Sequence, residues 1–217
     1  MPRYSVKVAR YEASCLAMLQ GMPSEPAAAS PHGRPRSEPA RQAVLHAVDD
    51  LLVEVGYAAM TMKGIAQRAG VGRQTVYRWW SNKAEILLEA SIDDARSELA
   101  SPPAADPAQD LLNYLDAMSR FLTTSPAGLA YRALLGEAQH DQAVRDLVRD
   151  ADLVYRSTSE VLNRLRPSSP GMPAARLAVA QLTGPVISTI LETGKTLSRD
   201  NRARHAALLV SAWNDPG

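Results

Sequence analysis

Thr61-Met62-Lys63-Gly64-Ile65-Ala66-Gln67-Arg68-Ala69-Gly70-Val71-Gly72-Arg73-Gln74-Thr75-Val76-Tyr77-Arg78-Trp79-Trp80-Ser81-Asn82-Lys83 holds two short helical patterns separated by a glycine turn. Thr61 is an N-cap residue type, and Ile65, Ala66 and Ala69 share one face of a helix that reaches Ala69. Gly70-Val71-Gly72 supplies the positive φ that ends a helix. A second helix runs from Arg73 to Trp79 or Trp80, and Ser81-Asn82 breaks it. Asn82 with Glu85 three residues on forms a capping-box-like start, so a further helix is expected from Lys83 to about Leu99. Between residues 61 and 83 there are five basic side chains (Lys63, Arg68, Arg73, Arg78 and Lys83) and no acidic one. A basic block inside a nearly neutral chain reads as one anion-facing surface.

Two short helices joined by a three-residue turn with glycine make a helix-turn-helix. In its DNA-binding form the second helix lies in the major groove and its first residues reach base edges. Arg73, Gln74 and Thr75 stand there. Arg pairs two ways with guanine, Gln with adenine, and the Thr methyl touches that of thymine. Lys83 falls in the first turn of its helix, where a cation opposes the positive end of the dipole; a phosphate bound by the ammonium and free backbone N–H groups would compensate. Thr61 offers a hydroxyl and N–H groups to the same end, and Tyr77 a phenol that reaches phosphate. Trp80 is expected in the core and Trp79 along the DNA backbone. Arg34 and Arg36, before the first helix, suit a minor-groove arm.

The stretch from Thr61 to Lys83 resembles the DNA-binding signature of the tetracycline-repressor-type (TetR/AcrR) family, and the resemblance covers roughly residues 37–90. It implies that Thr61, Lys63, Tyr77 and Lys83 hold phosphates or flank bases, and that Arg73, Gln74, Thr75, Arg78 and Trp79 lie on the recognition helix. Trp80 stands where the family usually has Phe, and Ser81 where Pro is frequent. The family fold implies a variable C-terminal helical domain that dimerises and holds an inducer pocket. Leu182-Thr183-Gly184-Pro185-Val186 and Ile190-Leu191-Glu192-Thr193-Gly194 are similar to one C-terminal subtype, which implies a four-helix dimer interface built by the last two helices.

Upstream, Val44, Ala47, Val48, Leu51, Leu52 and Val55 make one apolar stripe, with Ser37 as cap and Gly56 as stop. Residues 1–36 show no sustained period and read as a flexible arm without a secretory signal; Met18 and Met22 are further candidate starts. Downstream, Asp106-Pro107 and Ser125-Pro126 are helix starts. Asp141 to Arg166 reads as one long helix, then Pro173 to Thr193, with Gly184-Pro185 oddly inside it, and Asp200 to Asn214. The expectation is an all-α chain of about nine helices: an arm (1–36), a three-helix helix-turn-helix DNA-binding domain (37–82) and a C-terminal helical bundle for ligand binding and dimerisation (83–217). Candidate pocket residues are Tyr114, Met118, Phe121, Leu122, Tyr131, Leu135 and Tyr155, an apolar set. Candidate interface residues are Leu182, Val186, Ile187, Ile190, Leu191, Leu208, Leu209 and Trp213.

The 217 residues carry 24 Lys+Arg against 23 Asp+Glu, 46% hydrophobic and 5% aromatic residues, and one cysteine. This fits a cytoplasmic globular chain with no membrane span and no disulfide. The four histidines are scattered, Glu137-x-x-His140 lacks the second pair that a di-iron site needs, and neither a phosphate loop nor a Gly-x-Ser-x-Gly elbow occurs. No catalytic residue, metal or cofactor is expected. The function expected is a ligand-released repressor, homodimeric on a palindromic double-stranded DNA operator, with an apolar small-molecule inducer. Its rivals are a DNA-binding dimer without an inducer and a small-molecule-binding helical protein with a vestigial DNA module.

Overall fold

The computed structural model describes residues 37–215. The arm, with Arg34 and Arg36, lies outside the described residues. Among those described there are ten α-helices, one 3-10 turn and no strand: α1 Glu38–Ala59, α2 Met62–Arg68, α3 Arg73–Trp79, α4 Lys83–Glu98, α5 Pro107–Thr124, α6 Pro126–Glu137, α7 Gln142–Ala151, α8 Leu153–Leu165, the turn Arg166–Ser168, α9 Ala175–Thr193 and α10 Arg199–Asn214. The all-α expectation holds. The helix expected over 141–166 is two, because Asp152 adopts a left-handed conformation (φ 51°, ψ 36°). Asp tolerates that region better than most residues, and its carboxylate is paired with Arg176 at 2.6 Å.

Helix starts follow their caps. Thr61 accepts from Gly64 N at 3.1 Å, Asn82 from Glu85 N at 3.0 Å, Asp106 from Gln109 N at 3.0 Å and Ser198 from Asn201 N at 3.2 Å. Each satisfies one of the orphan N–H groups of a first turn. Ser37 occupies its cap position without a side-chain bond, and Pro39 in the first turn helps set the start instead. Gly56 (φ 75°, ψ 167°) breaks α1 just beyond Leu52, the last partly buried residue of its apolar stripe. Val55 is exposed.

One apolar core runs from Val44 on α1 to Trp213 on α10 without parting near residue 82. Helix α4 is the shared element: it packs most extensively on α6 and also lies along α1. Gly128 permits the α5–α6 approach, since a Cβ there would stand 1.8 Å from the Phe121 carbonyl oxygen. The C-terminal helix is held to α5 by Asp116, which accepts from Arg202 Nε at 2.8 Å and Arg199 Nε at 3.3 Å. Inside α9, Pro185 has no N–H for the Gln181 carbonyl one turn back. The His205 ring of α10 takes its place, with Nε2 at 3.0 Å from Gln181 O and 3.1 Å from Leu182 O. A carbonyl only accepts, so Nε2 carries the proton.

Candidate nucleic-acid interface

Helices α2 and α3 meet at a turn closed by two backbone hydrogen bonds. Val71 N donates to Ala66 O at 3.0 Å and Gly70 N to Gln67 O at 3.2 Å, around Gly70 at φ 65°. This Schellman closure stops α2 within two residues, and Gly72 then opens α3. Ile65, Ala66 and Val76 are buried, with α2 packed on α1 and α3 packed on α2.

The opposite face carries the candidate residues. Thr61, Lys63, Arg73, Gln74, Tyr77 and Arg78 are exposed and Thr75 is half-buried. Thr61 Oγ1 accepts its cap bond, so its own proton is available to donate. The Arg73 guanidinium stands 5.4 Å from the Tyr77 ring centroid, a cation–π pair one helical turn apart. Lys63, Arg73 and Arg78 make no ion pair among the described residues, which leaves three cations on one exposed face.

Two expectations need correction. Trp79 is 6% exposed and part of the core, meeting Trp80 edge-on at 5.5 Å and 77°; it backs the recognition helix instead of lying along DNA. Arg68 is turned to α1, where it pairs with Glu54 and, at 3.5 Å, with Asp50, so the basic block is narrower than its composition suggests. At its first-turn position Lys83 also has partners within the protein. Its Nζ donates to Tyr57 O at 2.6 Å and Met60 O at 3.1 Å and lies 4.1 Å from the Tyr57 ring centroid. The ammonium thus caps the negative end of α1, and burial lowers its pKa against the opposing pull of Glu137. Tyr57 is not among the sequence candidates; an aromatic directly after the helix-stopping Gly56 is the available signal. Burial, followed by Glu137 and Asp141, pushes its phenol up to about 12.

The pocket candidates come together as core. Tyr114, Met118, Phe121, Leu122 and Tyr131 are buried, while Leu135 and Tyr155 are partly buried against them. The Tyr114 hydroxyl bonds Ser157 at 2.8 Å and Thr158 at 2.7 Å, and burial raises its pKa to about 12. Two clefts lie elsewhere: one of about 130 Å³ between α1 and α4 and one of about 300 Å³ beside Asp110 and Arg164. The interface candidates divide. Leu182, Val186, Ile190 and Trp213 face their own core, Ile187 and Leu209 are half-buried, and Leu191 and Leu208 are exposed. The sequence stripe mixed two faces because apolar residues line both. Among the described residues no helix is long and apolar enough to cross a membrane, and no group of three or more His, Cys, Asp or Glu could hold a metal ion.

The family model for bacterial regulatory proteins of the tetR family matches residues 44–90, which is the region of α1–α4 just described. The chain is 38% identical over 120 residues to an HTH-type transcriptional regulator, YdeS, of Bacillus subtilis (strain 168). It is 30% identical over 116 residues to the DNA-binding transcriptional repressor TetR of Mycobacteroides abscessus. These matches cover 55% and 52% of this chain and span 60% of the length of either relative. Over nearly the whole fold, the chain is similar to the TetR family transcription regulator SCO0332, with TM-score 0.67, 27% identity, and 80% of this chain and 97% of that one covered. The regulator FadR from Bacillus subtilis, solved in complex with stearoyl-CoA, shares the fold at TM-score 0.60 and 20% identity, over 79% of this chain and 98% of that one.

Proposed function

Because the chain belongs to the tetR family of bacterial regulatory proteins, we propose that it is a cytoplasmic, homodimeric repressor that binds a palindromic operator and is not an enzyme. The observation that carries this reading is the exposed start of α3. Arg73 and Gln74 project from it, flanked by Lys63, Thr61, Tyr77 and Arg78, while Val76 and Trp79 anchor the helix from behind. Each protomer would place α3 in a major groove. Two-fold symmetry then requires half-sites about 34–36 Å apart or a multiple of that. Selection of bound fragments from a random duplex pool tests the reading. A palindrome with such spacing is expected, and recovery of unenriched sequence would overturn it.

Release by an apolar inducer is the reading for the C-terminal half, with the ligand entering between α5, α6 and α8 near Tyr114, Met118 and Tyr131. The close packing of these side chains means that entry has to displace core contacts. The same packing favours a second reading, a DNA-binding dimer with no small-molecule inducer. Titrating the operator complex with a panel of apolar ligands separates the two. Release by at least one of them supports the inducer, and unchanged affinity throughout supports its absence.

A further inference from the structure

The recognition helix is held at its C-terminal end by a hydrogen bond that lies off the DNA-reading surface. Trp80 is the C-cap residue of α3, in extended conformation, and is 2% exposed. An indole N–H only donates, and when buried it needs an acceptor. Nε1 donates to Glu89 Oε2 on α4 at 2.8 Å. Glu89 is itself buried, so its charge needs a partner. Arg41 on α1 supplies one, with Nε at 2.6 Å from Glu89 Oε1. Arg41 also bonds Glu38 at 3.0 Å and Asp93. Glu89 therefore bonds the end of α3 through one oxygen and α1 through the other. Two residues further along α4, Ser91 Oγ lies 2.9 Å from the Ala127 carbonyl at the start of α6. The placement of α4 on α6 is thus linked to the recognition helix through the Glu89 carboxylate, one turn along α4 from Glu85, which accepts from Ser81 N at 2.9 Å. Trp79 packs edge-on against Trp80, so a displaced Trp80 moves the last turn of α3.

Resting on the DNA-binding reading above, the geometry points to Glu89 as a positioning residue for operator recognition: it sets the angle at which α3 presents Arg73 and Gln74, and couples that angle to α4. Neither Glu89 nor Trp80 needs to touch DNA for this. Trp80→Phe isolates the effect, because it removes the N–H while Glu89 keeps Arg41.

The test uses the full chain and the duplex recovered by selection. Trp80→Phe, Glu89→Gln and the double variant are compared with wild type for affinity to the operator, affinity to a scrambled duplex, and salt slope. Trp80→Phe should weaken operator binding about 3–10-fold. Scrambled-duplex affinity and the salt slope should stay as in wild type, since every phosphate contact remains. Gln at 89 keeps one acceptor oxygen for either Trp80 or Arg41 and loses the other bond, so the double variant should lose less than the sum of the two single ones. The Trp80 indole proton should shift in its NMR spectrum on operator binding. A Trp80→Phe variant with wild-type operator affinity and an unchanged operator-to-scrambled ratio would overturn the proposal, whatever happens to its melting temperature. Trp80→Phe decides the matter alone if Glu89→Gln does not fold. A wild-type chain that binds no duplex selectively removes the DNA-binding reading and this proposal with it, and it is recognised before any variant is compared.

Discussion

Lys83 and Arg73 look alike in composition and differ in what they touch. Arg73 is exposed at the start of α3, so Arg73→Ala should cost about 1–3 kcal/mol of operator binding and relax preference at one base pair. A binding titration on single-base variants of the operator checks this; retained preference at every position would remove the base-reading role. Lys83 donates to two carbonyls at the end of α1, so Lys83→Met should lower stability by about 1.5–3 kcal/mol. The salt slope of DNA binding should not change. A slope smaller by about one would return Lys83 to the phosphate contacts that its sequence position suggests. Asp49 carries a pH effect. Its Oδ1 is buried without a hydrogen-bond partner among the described residues, and Asp93, Asp94, His46 and Gln42 line the same cleft. Burial, then the charge of Asp94, raises its pKa from 3.8 to about 6, with His46 opposing. The folded protein therefore holds this proton more tightly than the unfolded chain. The contribution of Asp49 to stability is fully present below about pH 4 and is lost as pH rises through about 6. Asp49→Asn should be more stable than wild type at pH 7, and the difference should vanish by about pH 4 in parallel urea titrations. A pH-independent difference would place the effect elsewhere.

At the scale of elements, starts are more legible than ends or faces. Thr61, Asn82, Asp106 and Ser125 announce helices because a short polar side chain satisfies a first-turn N–H wherever the rest of the chain goes. The break at Asp152 is not legible, since the apolar period continues through Leu147, Val148, Ala151 and Val154 and only one backbone conformation departs. The oddity at Pro185 is visible in sequence, but its resolution is not, because the donor comes from His205 in another helix. That pairing makes a prediction. His205→Ala should leave the Gln181 carbonyl short of a donor and cost about 1–3 kcal/mol. In a Pro185→Ala background residue 185 regains an N–H that can bond Gln181 one turn back, so the same His205→Ala change should cost clearly less. A double-mutant cycle by thermal or urea unfolding measures the coupling. Additive losses would show that His205 contributes packing alone. For the candidate interface, the helix-turn-helix is legible residue by residue because its turn needs glycines and its cap needs Thr61. What Arg68, Trp79 and Lys83 do is not, since Arg68 and Lys83 bond α1, an element outside the motif, and Trp79 is buried in the core common to the whole chain.

At the scale of the whole molecule, an operator with two half-sites needs two reading heads, and the outward faces of α9 and α10 offer the surface to join them. Leu177, Leu191 and Leu208 are 53%, 49% and 68% exposed there, and Ala180, Gly184 and Ala207 beside them are small enough to let another helix approach. Two such helices from each protomer would form an isologous four-helix contact around a two-fold axis. The residues that carry it are then Leu191 and Leu208, with Ile187 and Leu209 at the margin, and not Leu182, Val186, Ile190 or Trp213, which are buried within the protomer. Leu208→Glu should therefore give a folded monomer with wild-type helicity by circular dichroism and half the wild-type mass by sedimentation at micromolar concentration. Its operator affinity should fall because one head is lost, while each head keeps its own contacts. Leu182→Ala should behave in the opposite way, losing about 2–5 kcal/mol of protomer stability through the cavity it leaves while remaining dimeric under conditions where it is folded. If Leu208→Glu and Leu191→Glu both sediment as dimers, the joining surface lies on another face of the bundle.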